Sequence, residues 1–298
     1  MLAKLRSSFE NVMQFQTKIV SLLVCILSTQ FGNCQIEGII TDIKTGHPIP
    51  YVNVWIKNNS SGSTTNAAGE FLIINGKAGD TLLISNLGYK KQEQIASSTN
   101  IIKLIPKAIE LNEILVLPTH SQNFSMITSY NRPSQVKEFY YNGHYSLARY
   151  FPYKNEYSSN RFISKIYLIT LSALKTKVKF RVHLLSADKN GHPSSNLLSD
   201  YFLLECGKGK SQIEVDLQNE NILIPENGFF VVVDRLNLEQ NKFSNKLAKD
   251  MLQPAIGMVK DKEPMNTWMT FGGRWLPPEK MKEIPTWKNI AVNILLSD

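Results

Sequence analysis

Short runs in which apolar and polar residues alternate are the main pattern of the chain after residue 35. In residues 36–89 the runs are Ile36–Ile40, Tyr51–Ile56, Phe71–Ile74 and Leu82–Ser85. A period of two places successive side chains on opposite faces of a strand, and Gly, Pro, Asn and Asp favour the turns between runs. The pattern therefore predicts a unit of short β-strands joined by tight turns.

The same alternation returns in residues 142–298. Its runs lie at 162–168, 178–184, 213–217, 229–234 and 289–296. The first three predict half-buried strands of an antiparallel sheet, residues 229–234 predict a buried strand, and residues 289–296 predict the last strand. Helical periodicity is missing over long windows, apart from a short helix predicted at 238–251. The expected architecture of this part of the chain is therefore a second β-sandwich, of jelly-roll type. The predicted fold class is all-β, with two β-sandwich domains.

Charged residues alternate with the apolar ones in two of these runs. The basic row is Lys179, Arg181 and His183, and the acidic row is Glu214 and Asp216. We expect the two rows to face each other across neighbouring strands and to stabilise the sheet by less than about 1 kcal/mol per pair.

Residues 119–141 lose the alternation and are rich in small polar residues, with Pro118 just before them and Pro133 within them. This composition predicts a linker or a packed connecting segment. The expected domains are therefore residues 35–118 and 142–298.

The first 34 residues have the organisation of a cleaved signal peptide. Basic residues precede an apolar run over residues 19–27, and small residues precede a cleavage point before Gln35. Initiation at Met13 would give a leader of conventional length, whereas initiation at Met1 gives a slightly long one. No later stretch approaches the roughly 18 apolar residues that a membrane-spanning helix needs.

Cys34 allows a second interpretation of the leader, because a cysteine directly after an apolar run can carry the lipid anchor of a bacterial lipoprotein. Asn33 occupies the position where such a site has a small residue, which favours simple cleavage. After cleavage Cys206 is the one cysteine left. No internal disulfide is then expected, and stability must come from the apolar cores.

The formal net charge of the chain is +8, and +6 remains once the leader is removed. The lysines are scattered and are not grouped with aromatic residues. Such a charge keeps a surface solvated or attracts anionic envelope lipid and glycan. Because an exported protein rarely meets nucleic acid, we expect no nucleic-acid partner.

Residues 35–118 also carry several short motifs in a fixed order. They are Gly38, Asp42 with Thr45-Gly46, Pro48–Val54, Gly62, Thr65-Asn66, Gly69–Phe71, Asp80–Leu82, Ser85 with Leu87–Tyr89, Leu104–Pro106 and Leu111–Val116. In this combination the segment resembles the carboxypeptidase-regulatory-like domain of exported Bacteroidetes-type proteins. The resemblance implies a prealbumin-type, Greek-key-like sandwich.

The second half is similar to an additional domain of the same exported proteins, through Phe162–Ile166, Asp188–Pro193 and Val215–Leu217. That resemblance implies no activity and no catalytic residues. An N-terminal domain of the first kind also extends many TonB-dependent outer-membrane transporters. Because neither a plug domain nor a membrane barrel follows Val116, the resemblance implies a role beside such a machine and not transport itself.

The histidines do not support zinc carboxypeptidase chemistry, which needs a His-x-x-Glu pair and a distant histidine. None of His47, His120, His144, His183 and His192 has Glu three residues later. Gly207–Ser211 lacks the earlier glycine of a phosphate-binding loop, and Asp188–Gly191 lacks the late Glu of a calcium loop. We expect no enzyme activity, catalytic residue, metal or cofactor, although a dispersed hydrolase site would leave no such motif.

Aromatic residues give one positive indication of a ligand. A first group is Tyr145, Tyr150, Phe151, Tyr153 and Tyr157; a second lies in the Pro/Gly-rich stretch near the C-terminus. Sugar-binding sandwiches display flat rings beside polar side chains. The candidate ligand-binding residues are Trp275, Arg274, Trp268 and Trp287, with Trp275 the best candidate for an exposed ring. The alternative is that these rings cap the sandwich core.

Together these patterns predict a noncatalytic exported binding or scaffold protein of the cell envelope, in the periplasm or at the outer membrane, accessory to outer-membrane machinery. The alternative is a glycan-binding module at the cell surface. The expected partner is an envelope protein or a polysaccharide. Exposed coplanar rings would favour the glycan, whereas a broad apolar patch on either sandwich would favour a protein.

Overall fold

The structure of the protein is a computed structural model that describes residues 35–107, 123–141, 143, 146–244, 251–260, 265–281 and 288–298. The leader, Cys34, Tyr145 and Trp287 lie outside the described residues. Within them the secondary structure consists of β-strands and short 3-10 helices, of which the longest is Asn155–Ser159. The predicted all-β fold class is confirmed. No helix of this described part is long and apolar enough to cross a membrane.

The N-terminal sandwich is built from the first strands of the chain. They are β1 (Gln35–Asp42), β2 (Asn53–Ile56), β3 (Gly62–Thr64), β4 (Glu70–Ile74), β5 (Thr81–Ser85), β6 (Gln92–Ile95) and β7 (Thr99–Leu104). One sheet has the order β4-β1-β7 and the other β3-β2-β5-β6. β1 pairs antiparallel with β4 and parallel with β7. The first sheet is called the β4-β1-β7 sheet below.

Alternation along the strands builds the core of this sandwich. Ile36 and Ile40 of β1 face Val54 and Ile56 of β2 across a single buried cluster, which also contains Phe71 of β4. The intervening residues of β1 and β4 then lie on the outer face of the β4-β1-β7 sheet, since successive side chains point to opposite sides.

The C-terminal sandwich uses the later strands. They are β8 (Phe124–Ile127), β9 (Glu138–Tyr140), β10 (Ser146–Phe151), β11 (Phe162–Ser172), β12 (Val178–Ala187), β13 (Pro193–Asn196), β14 (Phe202–Cys206), β15 (Gly209–Asp216), β16 (Ile222–Leu223), β17 (Phe229–Arg235), β18 (Lys242–Phe243), β19 (Met251–Leu252), β20 (Ala255–Val259), β21 (Thr267–Phe271), β22 (Arg274–Leu276), β23 (Asn289–Ile290) and β24 (Val292–Ser297). The 3-10 helices are Pro133–Gln135, Asn155–Ser159, Gln218–Glu220, Glu239–Asn241 and Pro278–Lys280.

Two large sheets form this sandwich. One has the order β13-β12-β17-β10-β21-β22, with β14 also paired to β12. The other has the order β23-β20-β11-β24-β8, with β15 and β16 paired to β11 and β9 paired to β20. Their inner faces share one large core, which includes Phe180 of β12, Phe229 of β17, Ile166 of β11 and Ile294 of β24.

The segment 119–141 contributes to the second of these sheets. β8 pairs with β24, and β9 pairs with β20. The described part of the segment is therefore packed sheet and 3-10 turn. Of the helix expected at 238–251, the described part holds a 3-10 turn at Glu239–Asn241, the strand β18 and the first residue of β19.

The expected pairing of the basic and acidic rows is wrong. β12 pairs with β14 and β17, whereas β15 pairs with β11. The acidic Glu214 therefore meets Lys165, at 2.6 Å. The row on β12 meets other carboxylates because the strand order places sequence-distant strands side by side.

Candidate functional site

The two sandwiches meet through a buried polar cluster on the outer face of β12 and β17. Arg181 of β12 is 3% exposed. Its Nη1 donates to the carbonyl oxygen of Tyr51 at 2.6 Å and to Oδ1 of Asn86 at 3.1 Å. Its Nη2 lies 3.1 Å from the carboxylate of Asp234, and its guanidinium stacks 4.7 Å from the ring of Tyr201. One side chain therefore binds both sandwiches.

This cluster stabilises the ionised carboxylate of Asp234. Burial opposes the ionised carboxylate, but the Arg181 guanidinium and His183 outweigh that cost and hold the pKa of Asp234 well below its usual range. The Nε2 atom of His183 lies 3.5 Å from the Asp234 carboxylate. A buried ion pair of this kind depends on both partners, because either one left alone is an uncompensated buried charge.

Tyr51 supplies its carbonyl from an unusual backbone conformation. Its φ is 59°, in the left-handed region, which costs a non-glycine residue about 1–3 kcal/mol. The buried side chain of Thr65 supports this turn, since its hydroxyl accepts from the Val52 N–H at 2.8 Å and donates to the carbonyl of Ile49 at 2.9 Å. The contact with Arg181 thus rests on a locally fixed loop.

A loop after β17 covers the edge of β3. The backbone N–H of Asn237 donates to the hydroxyl of Thr64 at 3.0 Å, and its side-chain amide donates to the carbonyl of Gly62 at 2.6 Å. Edge strands otherwise offer unpaired backbone groups to other chains. Here the C-terminal sandwich occupies that edge.

Beside this contact a cavity of about 910 Å³ separates residues 237–242 from the outer face of the β4-β1-β7 sheet. We call it the groove. Its sheet side carries the aliphatic residues Ile39, Leu72, Ile74 and Ile101. Leu72, Ile74 and Ile101 are 46%, 60% and 71% exposed. They form an apolar patch on a surface that the core does not use.

Register makes these residues neighbours. Ile39 pairs with Glu70 on one side and with Ile101 on the other, and Leu72 pairs with Glu37. Residues in register on one face lie close enough to contact each other. The aliphatic patch therefore has two carboxylates within it, and no cation among the described residues forms an ion pair with either.

The structure places the sequence-predicted ligand residues elsewhere. Trp268 is 8% exposed and packs edge-on against Phe230, with ring centroids 5.8 Å apart. Trp275 is half-buried against the same cluster, and Arg274 beside it is exposed. Burial removes most of the Trp268 ring from contact with a ligand, whereas Trp275, the best candidate for an exposed ring, keeps part of its surface exposed. Trp287 lies outside the described residues.

The turn before Arg274 lies against the N-terminal sandwich. Gly272 and Gly273 have φ of 52° and 77°. A Cβ atom added at Gly273 would lie 3.1 Å from the side chain of Leu83, and one at Gly272 would lie 3.2 Å from the carbonyl of Asn59. Glycine is needed here both for the backbone conformation and for the close approach.

A second cavity, of about 830 Å³, lies at one end of the C-terminal sandwich. It is lined by Tyr150, Phe151 and Tyr157 of the predicted aromatic group, together with charged residues that include Arg149. Phe151 and Tyr157 are buried in the core, and Tyr150 donates its hydroxyl to the carbonyl of Asn227 at 2.8 Å. These rings mainly cap the sandwich and offer the cavity only part of their surface.

Sequence reasoning missed the groove, although a signal for it is present. Residues 70–74 read Glu-Phe-Leu-Ile-Ile. Phe71 and Ile73 enter the core, so Leu72 and Ile74 must be apolar for another reason. An uninterrupted apolar run predicts a strand covered on both faces, and here the second face is exposed.

The described residues contain no group of three His, Cys, Asp or Glu side chains arranged as a metal site. Cys206 is buried, and burial raises the pKa of its thiol.

Comparison with known proteins identifies one part of the chain. Residues 36–116 match the family model of the CarboxypepD_reg-like domain, a regulatory and noncatalytic type of domain. The match confirms the resemblance for this segment and does not extend to the C-terminal sandwich.

A search of curated proteins gives no match. Among solved structures, a DUF3823 family protein from Bacteroides ovatus ATCC 8483 is similar at 10% identity, over 62% of this chain and 81% of that chain, with a TM-score of 0.17.

Proposed function

We propose that the protein is a noncatalytic exported protein of the cell envelope that binds a protein partner in the groove and acts as a scaffold. The aliphatic patch of Ile39, Leu72, Ile74 and Ile101 carries this proposal. Singly exposed aliphatic residues are ordinary on protein surfaces. Four neighbours that line one cavity are the kind of patch that marks an interaction site.

Export is supported by the leader and by the matched domain. A place in the periplasm or at the outer membrane, as an accessory to outer-membrane machinery, agrees with the resemblance of residues 35–118. Mass spectrometry of the N-terminus of the mature protein distinguishes cleavage before Gln35 from a lipid-modified Cys34.

The binding role is tested by site-specific photo-crosslinking in the native host. A crosslinking amino acid replaces Ile101, which is 71% exposed in the groove, or Leu223, which is 43% exposed on β16. We expect the same envelope protein to be captured repeatedly from position 101 and not from position 223. Leu72→Lys in the same chain should abolish that capture.

Equal capture at both positions, or capture that survives Leu72→Lys, would overturn the groove as the binding surface. The control matters because any exposed crosslinker captures some protein. Only position-dependent capture that the neighbouring substitution removes supports the proposal.

The second candidate function is glycan binding, and the cavity lined by Tyr150 at the end of the C-terminal sandwich is the observation that favours it. A glycan array probed with the mature protein tests this candidate. Binding that is lost in Tyr150→Ala and kept in Leu72→Lys would favour the glycan module. Binding lost instead in Trp275→Ala would return the ligand site to the residues first selected from the sequence.

A further inference from the structure

We propose that the groove binds its partner as an added β-strand, in which an extended segment of the partner pairs with the free edge of β4. This inference rests on the proposed binding role of the groove and specifies how the partner is recognised. Strand addition uses backbone hydrogen bonds for affinity and alternate side chains for specificity.

β4 is an edge strand that is open over residues 72–74. It pairs only with β1 among the described strands. At its start the N–H of Glu70 donates to Oδ1 of Asn66 at 3.0 Å, and the carbonyl of Glu70 accepts from the N–H of Asn66 at 2.8 Å. Natural edges are commonly guarded by lysine, proline, a bulge or a covering loop, whereas β4 has the sequence Glu-Phe-Leu-Ile-Ile. An exposed apolar edge favours pairing with another chain.

The other edges of the N-terminal sandwich differ from β4. β7 carries Lys103, and the chain just after it is paired, since the N–H of Lys90 donates to the carbonyl of Ile105 at 2.9 Å. β3 is covered by Asn237. The remaining edge, β6, has the polar sequence Gln-Glu-Gln-Ile, and its Glu93 pairs with Lys57 at 2.8 Å. β4 is therefore the apolar edge of the sandwich, and it borders the groove.

The groove is lined by residues of the β4-β1-β7 sheet and by residues from outside that sheet. Ile39 and Ile101 belong to the strands beyond β4 in the sheet, while Thr64 belongs to β3 and residues 237–242 belong to the C-terminal sandwich. The groove's volume of about 910 Å³ is at the upper end of the range for pockets that bind drug-sized ligands. The wall formed by residues 237–242 favours a single extended segment over a second copy of the whole sandwich.

Charge predicts the sequence of that segment. The groove lysines are already paired: Lys242 with Glu239 at 2.7 Å, and Lys179 with Glu205 at 3.8 Å. Glu70 faces the same side of β4 as Leu72 and Ile74. A strand added beside β4 would place its own side chains next to Glu70, Leu72 and Ile74. At alternate positions we therefore expect a basic residue near Glu70 and apolar residues near Leu72 and Ile74.

Peptide selection tests the inference. A phage-displayed library of random ten-residue peptides is selected on the mature protein and counterselected on Leu72→Lys. We expect enriched peptides with the basic-x-apolar-x-apolar pattern in either direction. Synthetic peptides of the enriched sequence should bind the mature protein at least about tenfold more tightly than Leu72→Lys, and equally to wild type and Leu223→Lys.

Backbone pairing is tested separately from side-chain contact. The same peptide methylated on alternate amide nitrogens keeps every side chain but loses its strand donors, and we expect binding to weaken at least about tenfold. Hydrogen exchange should slow in residues 72–74 when the unmodified peptide is bound. Glu70→Lys should shift preference from the basic residue to an acidic one at the facing position.

The possible outcomes separate this inference from the proposed function. If no peptide is enriched, or if methylation leaves binding unchanged, strand addition is overturned. The proposed function then stands or falls on the photo-crosslinking at position 101, which requires no particular binding mode. If crosslinking fails as well, the groove is not a binding surface.

Discussion

Arg181 is the residue on which the contact between the sandwiches most depends. It hydrogen bonds to Tyr51 and Asn86 of one sandwich and pairs with Asp234 of the other. We expect Arg181→Met to lower the free energy of unfolding by about 3–5 kcal/mol, because the substitution leaves the buried carboxylate without its cation. Urea denaturation monitored by circular dichroism measures the change.

Arg161→Met is the matched control, since Arg161 is exposed and surface substitutions usually change stability by within about 0.5 kcal/mol. The double variant Arg181→Met with Asp234→Leu should recover part of the loss, because both charges are then absent from the interior. A loss in Arg181→Met no larger than in Arg161→Met would show that the cluster does not stabilise the protein.

Among the elements, β1 needs a small residue at Gly38, because the strand is paired on both sides. A Cβ atom added at Gly38 would lie 2.4 Å from the carbonyl oxygen of Asn100 in β7 and 2.8 Å from the ring of Phe71 in β4. We expect Gly38→Ala to destabilise the N-terminal sandwich by about 1–3 kcal/mol, the usual range for overpacking. Thermal denaturation provides the measurement.

Gly207→Ala provides a control on a hairpin, because no atom lies within 4 Å of a Cβ added there. A glycine replaced without strain is neutral or slightly stabilising, since alanine restricts the unfolded chain. Equal effects of the two substitutions would contradict a packing requirement at Gly38.

The alternation of single strands could be predicted from the sequence, but their neighbours could not. Val178, Phe180 and Val182 enter the core as their spacing predicts. The partners of the intervening charges depend on strand order, which alternation does not encode, and this is why Arg181 meets Asp234 of β17 rather than a residue of β15. The groove was missed for the same reason, since it forms between parts of the chain that are distant in sequence.

Acid sensitivity is a property of the whole molecule, because the contact between the sandwiches contains an ionised carboxylate. Asp234 has a pKa held below the ordinary value of 3.8. A carboxyl whose pKa is lower in the folded than in the unfolded protein stabilises the fold at pH values above the unfolded pKa. This contribution is lost as the pH falls from there through the folded pKa. The stability difference between wild type and Asp234→Asn should therefore be largest near neutral pH and shrink below about pH 4.

Denaturation midpoints measured from pH 7 to pH 3 test this dependence. Asp200→Asn, at an exposed position, controls for the removal of one carboxylate. A stability difference between wild type and Asp234→Asn that stays constant over this range would contradict the assigned ionisation of Asp234.

Unfolding of the two sandwiches should be coupled, because several independent contacts join them. Arg181 binds Tyr51, Asn237 binds the edge of β3, and the turn at Gly273 packs on Leu83. Each sandwich has its own core, so each could unfold separately if the contact were weak. We expect calorimetry of the mature protein to show one transition and Arg181→Met to show two. Two transitions already in the wild type would mean that the contact is too weak to hold the groove in one shape, and the wall opposite β4 would then not restrict its partner.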